Sequence, residues 1–221
     1  MDLMVRVPIV LLALTLHEFA HAYVAYRLGD PTAQRMGRCS LNPLVHLDLF
    51  GTLCIMFGPI GWAKPVPVNP MNFRHPGRDN MLVSVAGPIS NILQAVGFAL
   101  LIRLLVFADG AELLPASLSE RSVLIIYVMF RVAVLVNCGL AVFNMLPIFP
   151  LDGFHVTRYF LGPENRQALD RTAPYGMYII LALIALPFLT GGQISPLRMV
   201  ILYPVDFVLE YIAGVPGLGL G

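Results

Sequence analysis

The sequence predicts an all-α polytopic membrane protein: a three-span core, one or two C-terminal hydrophobic segments, and a re-entrant Gly/Pro-rich hairpin between the first two spans. Three observations carry that reading. Of 221 residues, 57% are hydrophobic and only 12% charged, where an ordinary soluble domain is about 25% charged; the mean hydropathy is +0.77. The apolar residues gather into runs of the ~20 residues that a helix needs to cross a bilayer. One run is broken by Gly51, Gly58, Pro59, Gly61, Pro65 and Pro67, too many breakers for a straight span. The length fits a single membrane-embedded domain over 1–221. A net charge of +1 without a basic cluster excludes nucleic acid as a partner class. Cys39, Cys54 and Cys138 lack CxxC spacing and read as small apolar residues.

The first span covers about 3–28 and stops at Gly29-Asp30-Pro31. It is not a cleaved signal: Asp2 cancels the positive start, and cleavage near Ala20 to Ala22 would cut through a His/Glu cluster. The broken run, about 47–70, reads as a re-entrant or interfacial hairpin whose backbone must be sheltered by protein or water. Spans two and three cover about 79–107 and 122–147, joined by an acidic loop. The third runs into Pro147-Ile148-Phe149-Pro150-Leu151-Asp152-Gly153, where the prolines should unwind the helix end. A polar connection, Arg158 to Arg171, leads to a further span at about 174–190. The segment 197–213 contains Pro204, Asp206 and Glu210 and reads as an interfacial helix, with a fifth span as the alternative.

Basic residues set the orientation. Arg27, Arg35, Arg38, Lys64, Arg74 and Arg78 lie between the first two spans, and Arg158, Arg166 and Arg171 between the third and fourth. The positive-inside rule places both connections in the cytoplasm. The ends of spans one and three then meet at one level of the membrane, and any site they share opens toward the cytoplasm.

The stretch His17-Glu18-Phe19-Ala20-His21 is an HExxH motif. Residues four apart share a helix face, so both imidazoles can address one metal. Neutral imidazoles suit Zn²⁺, which at reactive sites takes three protein ligands. Glu18, beside them, can take a proton from a water whose acidity the metal has raised. The bland alternative is that the histidines bond to neighbouring helices and Glu18 pairs with an arginine. A carboxylate in a membrane helix costs roughly 2.5–3.5 kcal/mol on insertion scales, which calls for a stronger reason. For the third ligand, His46, His75 and His155 fall in polar stretches where a solvated histidine is the default. Asp152 stands at the unwound end of span three, at the right depth, with Gly153 allowing close approach. A turn cap explains an Asp before Gly equally well.

HEFAH in a first span, Ala86 to Asn91 (AGPISN) and Asn144 to Gly153 (NMLPIFPLDG) together resemble the signatures of the site-2 protease family of intramembrane zinc metalloproteases, in its compact branch without PDZ or CBS modules. The resemblance covers roughly residues 3–155. It implies one zinc ion held by His17, His21 and Asp152, Glu18 as the catalytic base, and Asn144 beside the site, orienting substrate or the developing oxyanion. It also implies that the hairpin borders the cleft. Phe57 to Val68 would then offer an edge to an extended substrate, with Gly58 and Gly61 at its contact; a hairpin that only closes the bundle is the alternative. Asn91 has two readings, a support of the site near the unwound segment and, with Gly87 and Pro88, a helix-packing residue. The implied partners are a transmembrane protein substrate and the lipid bilayer, in the cell membrane of a prokaryote. A divalent-metal transporter using the same His and Asp side chains is the competing function, but no second HEFAH or LDG marks an inverted repeat. A catalytically dead membrane chaperone fits poorly with an intact Glu18.

Overall fold

The computed structural model describes residues 3–48, 51, 63–115 and 118–219. Eight α-helices, short 3₁₀ turns and one π-helical stretch account for the regular structure of the described residues. Helix α1, Leu3–Arg27, has 25 residues, about 37 Å at 1.5 Å per residue. Its end is built by Gly29, which takes φ 107°. Asp30 N bonds Ala25 O at 2.9 Å and Gly29 N bonds Tyr26 O at 3.1 Å, the paired closure that a left-handed glycine permits. A short α2, Thr32–Arg35, follows.

Helix α3, Pro76–Gly110, spans 35 residues. It starts on a proline at its first position, where no intrahelical N–H is lost. Helix α4, Glu120–Asn144, is capped by the Ser119 hydroxyl, which accepts from Ser122 N. A non-helical stretch with a cis Phe149–Pro150 bond separates α4 from α5, Asp152–Phe160. Then come α6, Pro163–Thr172, and α7, Gly176–Leu189. Helix α8, Pro196–Phe207, continues into a wider π-helical stretch, Val208–Ala213.

Among the described residues, four stretches are long and apolar enough to cross a membrane: Val5–Arg27, Pro76–Gly110, Glu120–Asn144 and Pro163–Leu189. The third span, α4, ends at Asn144, earlier than the expected 147. Arg158 to Arg171, expected as a polar connection, belongs to the two helices α5 and α6. Their polar surfaces give no apolar run to mark them.

Helix α3 is the hub. Gly87, Asn91, Ala95 and Ala99 recur every four residues and are all buried, with Ile102 extending the row. Small residues at that spacing let helix backbones approach closely where lipid offers no hydrophobic drive. Ala13, Ala22 and Ala25 of α1 and Ala133, Val134 and Ala141 of α4 are buried as well. Toward the C-terminus, Val205, Val208, Leu209, Ala213 and Val215 pack with Ala95, Ala99, Ile102, Val134 and Cys138. The expected interfacial segment 197–213 thus has one face inside the bundle. On the outer faces, Leu93, Leu104, Phe107 and Leu124 are exposed, as a lipid solvent requires.

The expected hairpin, 47–70, lies largely outside the described residues, Gly58 and Gly61 included. Its base is described. Leu47 and Ala63 form an antiparallel bridge, and Lys64 N bonds His46 O at 2.8 Å. His46, expected to be solvated, is 1% exposed, with Nε2 against Ser40 O at 2.7 Å. It helps fold the 40–46 loop against the returning arm.

Candidate metal centre

His17 and His21 sit on one face of α1 and point at α3, both buried. Each ring is oriented through its Nδ1 atom. His17 Nδ1 lies 2.6 Å from Asn91 Oδ1, and His21 Nδ1 lies 2.7 Å from Val83 O. The Val83 carbonyl can only accept, so His21 Nδ1 carries the proton. Asn91 Nδ2 donates to Asn137 Oδ1 at 2.9 Å, which turns Asn91 Oδ1 toward His17 as an acceptor. Both Nε2 atoms are therefore left as lone pairs, and they face each other at 3.0 Å.

The unwound end of α4 brings in Asp152. Its Oδ2 lies 3.3 Å from His17 Nε2 and 3.4 Å from His21 Nε2. That oxygen is buried and has no hydrogen-bond donor. Asp152 is the first residue of α5, and the N-cap position before it belongs to Leu151, so Asp152 is not the helix cap. Three potential electron-pair donors converge, an arrangement that is repulsive unless a cation is shared. Two imidazoles and a carboxylate at such separations fit one face of a tetrahedral zinc site, whose bonds are ~2.0–2.2 Å. Among the described residues, His17, His21 and Asp152 form the cluster of His, Cys, Asp and Glu able to hold a metal.

Two glycines make the approach possible. A Cβ on Gly87 would collide with His21 Nε2 and with Cε1 and Nε2 of His17. One on Gly153 would collide with the backbone of Met145 and Leu146, where the chain folds back to present Asp152.

The profile described as "Peptidase family M50" matches residues 7–187. The chain belongs to peptidase family M50. It is also similar to the protein named "Putative zinc metalloprotease YwhC" of Bacillus subtilis (strain 168), with 38% identity over 198 residues, 86% of this chain and 87% of that one. A protein named "Putative zinc metalloprotease Rip2" from Mycolicibacterium smegmatis is 33% identical over 184 residues, 81% of this chain and 66% of its own. No solved structure matches the chain. Membership of family M50 makes this chain a peptidase, and its four apolar stretches make it an integral, multi-pass membrane protein.

In this M50 chain, Glu18 is buried and pairs with no arginine among the described residues. Its Oε2 accepts the backbone N–H of Val66 at 3.1 Å. Asn91 does not reach the unwound segment; it holds His17 and also approaches Ala13 O at 3.4 Å. Asn144 turns Nδ2 back onto Leu140 O of its own helix at 3.0 Å. Asn137 went unnoticed in the sequence. Its Nδ2 bonds Ala133 O at 2.9 Å while its Oδ1 steadies Asn91, so α1, α3 and α4 are joined by one buried amide chain. An asparagine in the middle of an apolar span was the available signal. One turn past Asp152, a cleft of about 210 Å³ opens between α3 and α5, lined by residues that include Asn80, His155, Arg158, Tyr159 and Arg166.

Proposed function

We propose that this chain is an intramembrane zinc-dependent endopeptidase that hydrolyses peptide bonds within or near the transmembrane segments of membrane proteins, as in regulated intramembrane proteolysis. The observation that carries the reading is the convergence of His17 Nε2, His21 Nε2 and Asp152 Oδ2 beside a buried glutamate in a membrane helix. One zinc ion per chain would be held by those three atoms. When bound, zinc supplies Lewis acidity, raising the acidity of water and polarising a carbonyl.

The chain's own groups do the rest. Asn91 and Val83 O fix the two imidazoles by their Nδ1 atoms, keeping Nε2 free as ligand atoms. Glu18 accepts a proton at its carboxylate as general base and returns it to the leaving amine as general acid. The amide side chain of Asn144, the last helical residue before the unwound segment, can swing from Leu140 O to donate to a substrate carbonyl. The polar cleft beside His155 and Arg158 supports water entry from the cytoplasmic side, which lipid cannot provide. A substrate helix hides its peptide bonds and must unwind locally before attack. Bacterial relatives and the basic connections support a prokaryotic cell membrane with the site facing the cytoplasm.

Purified protein in proteoliposomes with a tagged single-span reporter tests the reading. Glu18→Gln should abolish cleavage while zinc content stays at one ion per chain, and Asp152→Asn should lower zinc content. Cleavage by zinc-loaded Glu18→Gln would remove Glu18 as the base, and zinc flux through that variant would point to transport instead.

A further inference from the structure

The segment Lys64–Asn69 runs extended past Glu18, and its anchorage is unusually complete. At its start Lys64 N bonds His46 O at 2.8 Å, and the buried Arg38 guanidinium donates through Nη2 to the Lys64 carbonyl and, at 3.4 Å, to Pro65 O. At its end Asn69 N donates to Asp30 Oδ2 at 2.7 Å. Asp30 is wholly buried. Its other oxygen accepts from Thr32 N, Thr32 Oγ1 and Asn72 Nδ2, so a single carboxylate ties the segment to the end of α1.

Between these anchors the order is Pro65-Val66-Pro67. Proline fixes φ and has no N–H, and each residue before a proline is confined to extended backbone. The middle of the segment is thus stiff and has one donor, Val66 N, which is bonded to Glu18 Oε2. Over 64–67 the donors Lys64 N and Val66 N are both engaged within the protein. This stretch offers no free N–H to a substrate strand, and alternating prolines are a known means of keeping an edge unpaired.

We infer that Lys64–Asn69 is a proline-stiffened strap that sets the carboxylate of Glu18 through the Val66 N–H, and that Asp30 and Arg38 are positioning residues acting through it. The inference rests on the reading of Glu18 as the base. The strap removes rotamer freedom from a long side chain and leaves its other oxygen, Oε1, to handle the proton. It also ties the base to the loop at the end of α1, so catalytic geometry depends on residues well away from the ligands.

The test uses the full chain, zinc-loaded in detergent micelles, cleaving a single-span reporter with a glycine-rich span. Val66→Pro continues the proline run and deletes the donor. A hydrogen bond to a charged acceptor sets the scale, so kcat should fall about 10- to 100-fold with KM and zinc content unchanged. Val66→Ala keeps the N–H and should lose far less. Asp30→Asn cannot satisfy all four donors and should lower kcat in the same direction, zinc retained. Independently of any substrate, the Val66 amide should exchange with deuterium faster in Glu18→Ala than in wild type. Wild-type kcat in both Val66→Pro and Asp30→Asn overturns the inference, as does a rise in KM alone, which would make the strap a substrate edge. If Val66→Pro loses zinc or unfolds, Asp30→Asn and the exchange measurement decide. Full activity in Glu18→Gln would instead defeat the base assignment itself.

Discussion

Replacing Gly87 by alanine adds a single methyl group at the closest approach of α3 to the two imidazoles. That Cβ would lie 2.6 Å from both Cε1 and Nε2 of His17, and closer still to His21 Nε2, whereas ordinary contact begins near 3.4 Å. The His17 ring would have to retreat by about 0.8 Å, several times the ~0.2 Å tolerance of a metal–ligand bond. Retreat also strains the 2.6 Å bond to Asn91, which sits one turn along the same helix. Overpacking of this kind costs ~1–3 kcal/mol, and a weakened hydrogen bond adds ~0.5–1.5 kcal/mol. Together they predict zinc binding weaker by about 10- to 2000-fold. Competition with a chromophoric chelator in detergent micelles reads the affinity, and a thermal unfolding curve shows whether α1 and α3 have separated instead. Wild-type affinity together with wild-type unfolding would refute the placement of the rings against Gly87.

Three further outcomes follow from the same geometry. Asn91→Ala removes the acceptor for His17 Nδ1 and should weaken zinc binding ~10- to 100-fold, as loss of a ligand's hydrogen-bond partner does elsewhere; chelator competition measures it. Gly153→Ala would force apart the Met145–Leu146 backbone and α5, so zinc content should fall although Asp152 is intact. Asp30 predicts a pH dependence. Burial pushes its carboxyl up, but hydrogen bonds from Thr32, Asn69 and Asn72 outweigh this and hold it below its ordinary value of 3.8. A group whose folded pKa is depressed stabilises above its unfolded pKa. That stabilisation should be present at pH 5 and disappear as pH falls below about 3.8 toward the folded value. Unfolding temperatures at pH 5 and pH 3 should therefore differ more in wild type than in Asp30→Asn.

The candidate metal site was legible because its parts carry side-chain signatures. HEFAH sets two candidate ligands on one face by helix periodicity alone, and Pro150-Leu151-Asp152-Gly153 announces an unwound end at a matching depth. The stop at Gly29 was equally plain, since a left-handed glycine closes α1. What stayed hidden depends on backbone atoms or on long-range pairing. The partner of Glu18 is the N–H of Val66, 48 residues on, and a backbone donor has no residue type to give it away. Asn137 acts only through Asn91, so nothing near HEFAH points to it. His46 looked solvated because its neighbours are polar, yet it is buried by the returning arm of the hairpin. Asn144 was placed by the site on resemblance, and its amide turns back to Leu140 O. Helices α5 and α6 escaped notice because they carry charges where an apolar stripe would have marked them.

The row Gly87, Asn91, Ala95, Ala99 on α3 has a mechanical consequence. The residues that let α1, α3 and α4 pack are in register with those that steady the two imidazoles. A slip of α3 by one turn, ~5.4 Å, would set Asn91 against the imidazoles where Gly87 belongs and strip His17 of its acceptor. The three helices therefore behave as a keel, unable to shear without dismantling the chemistry. Any opening of the bundle must come at its other walls, and substitutions that loosen this seam should damage stability and metal binding together.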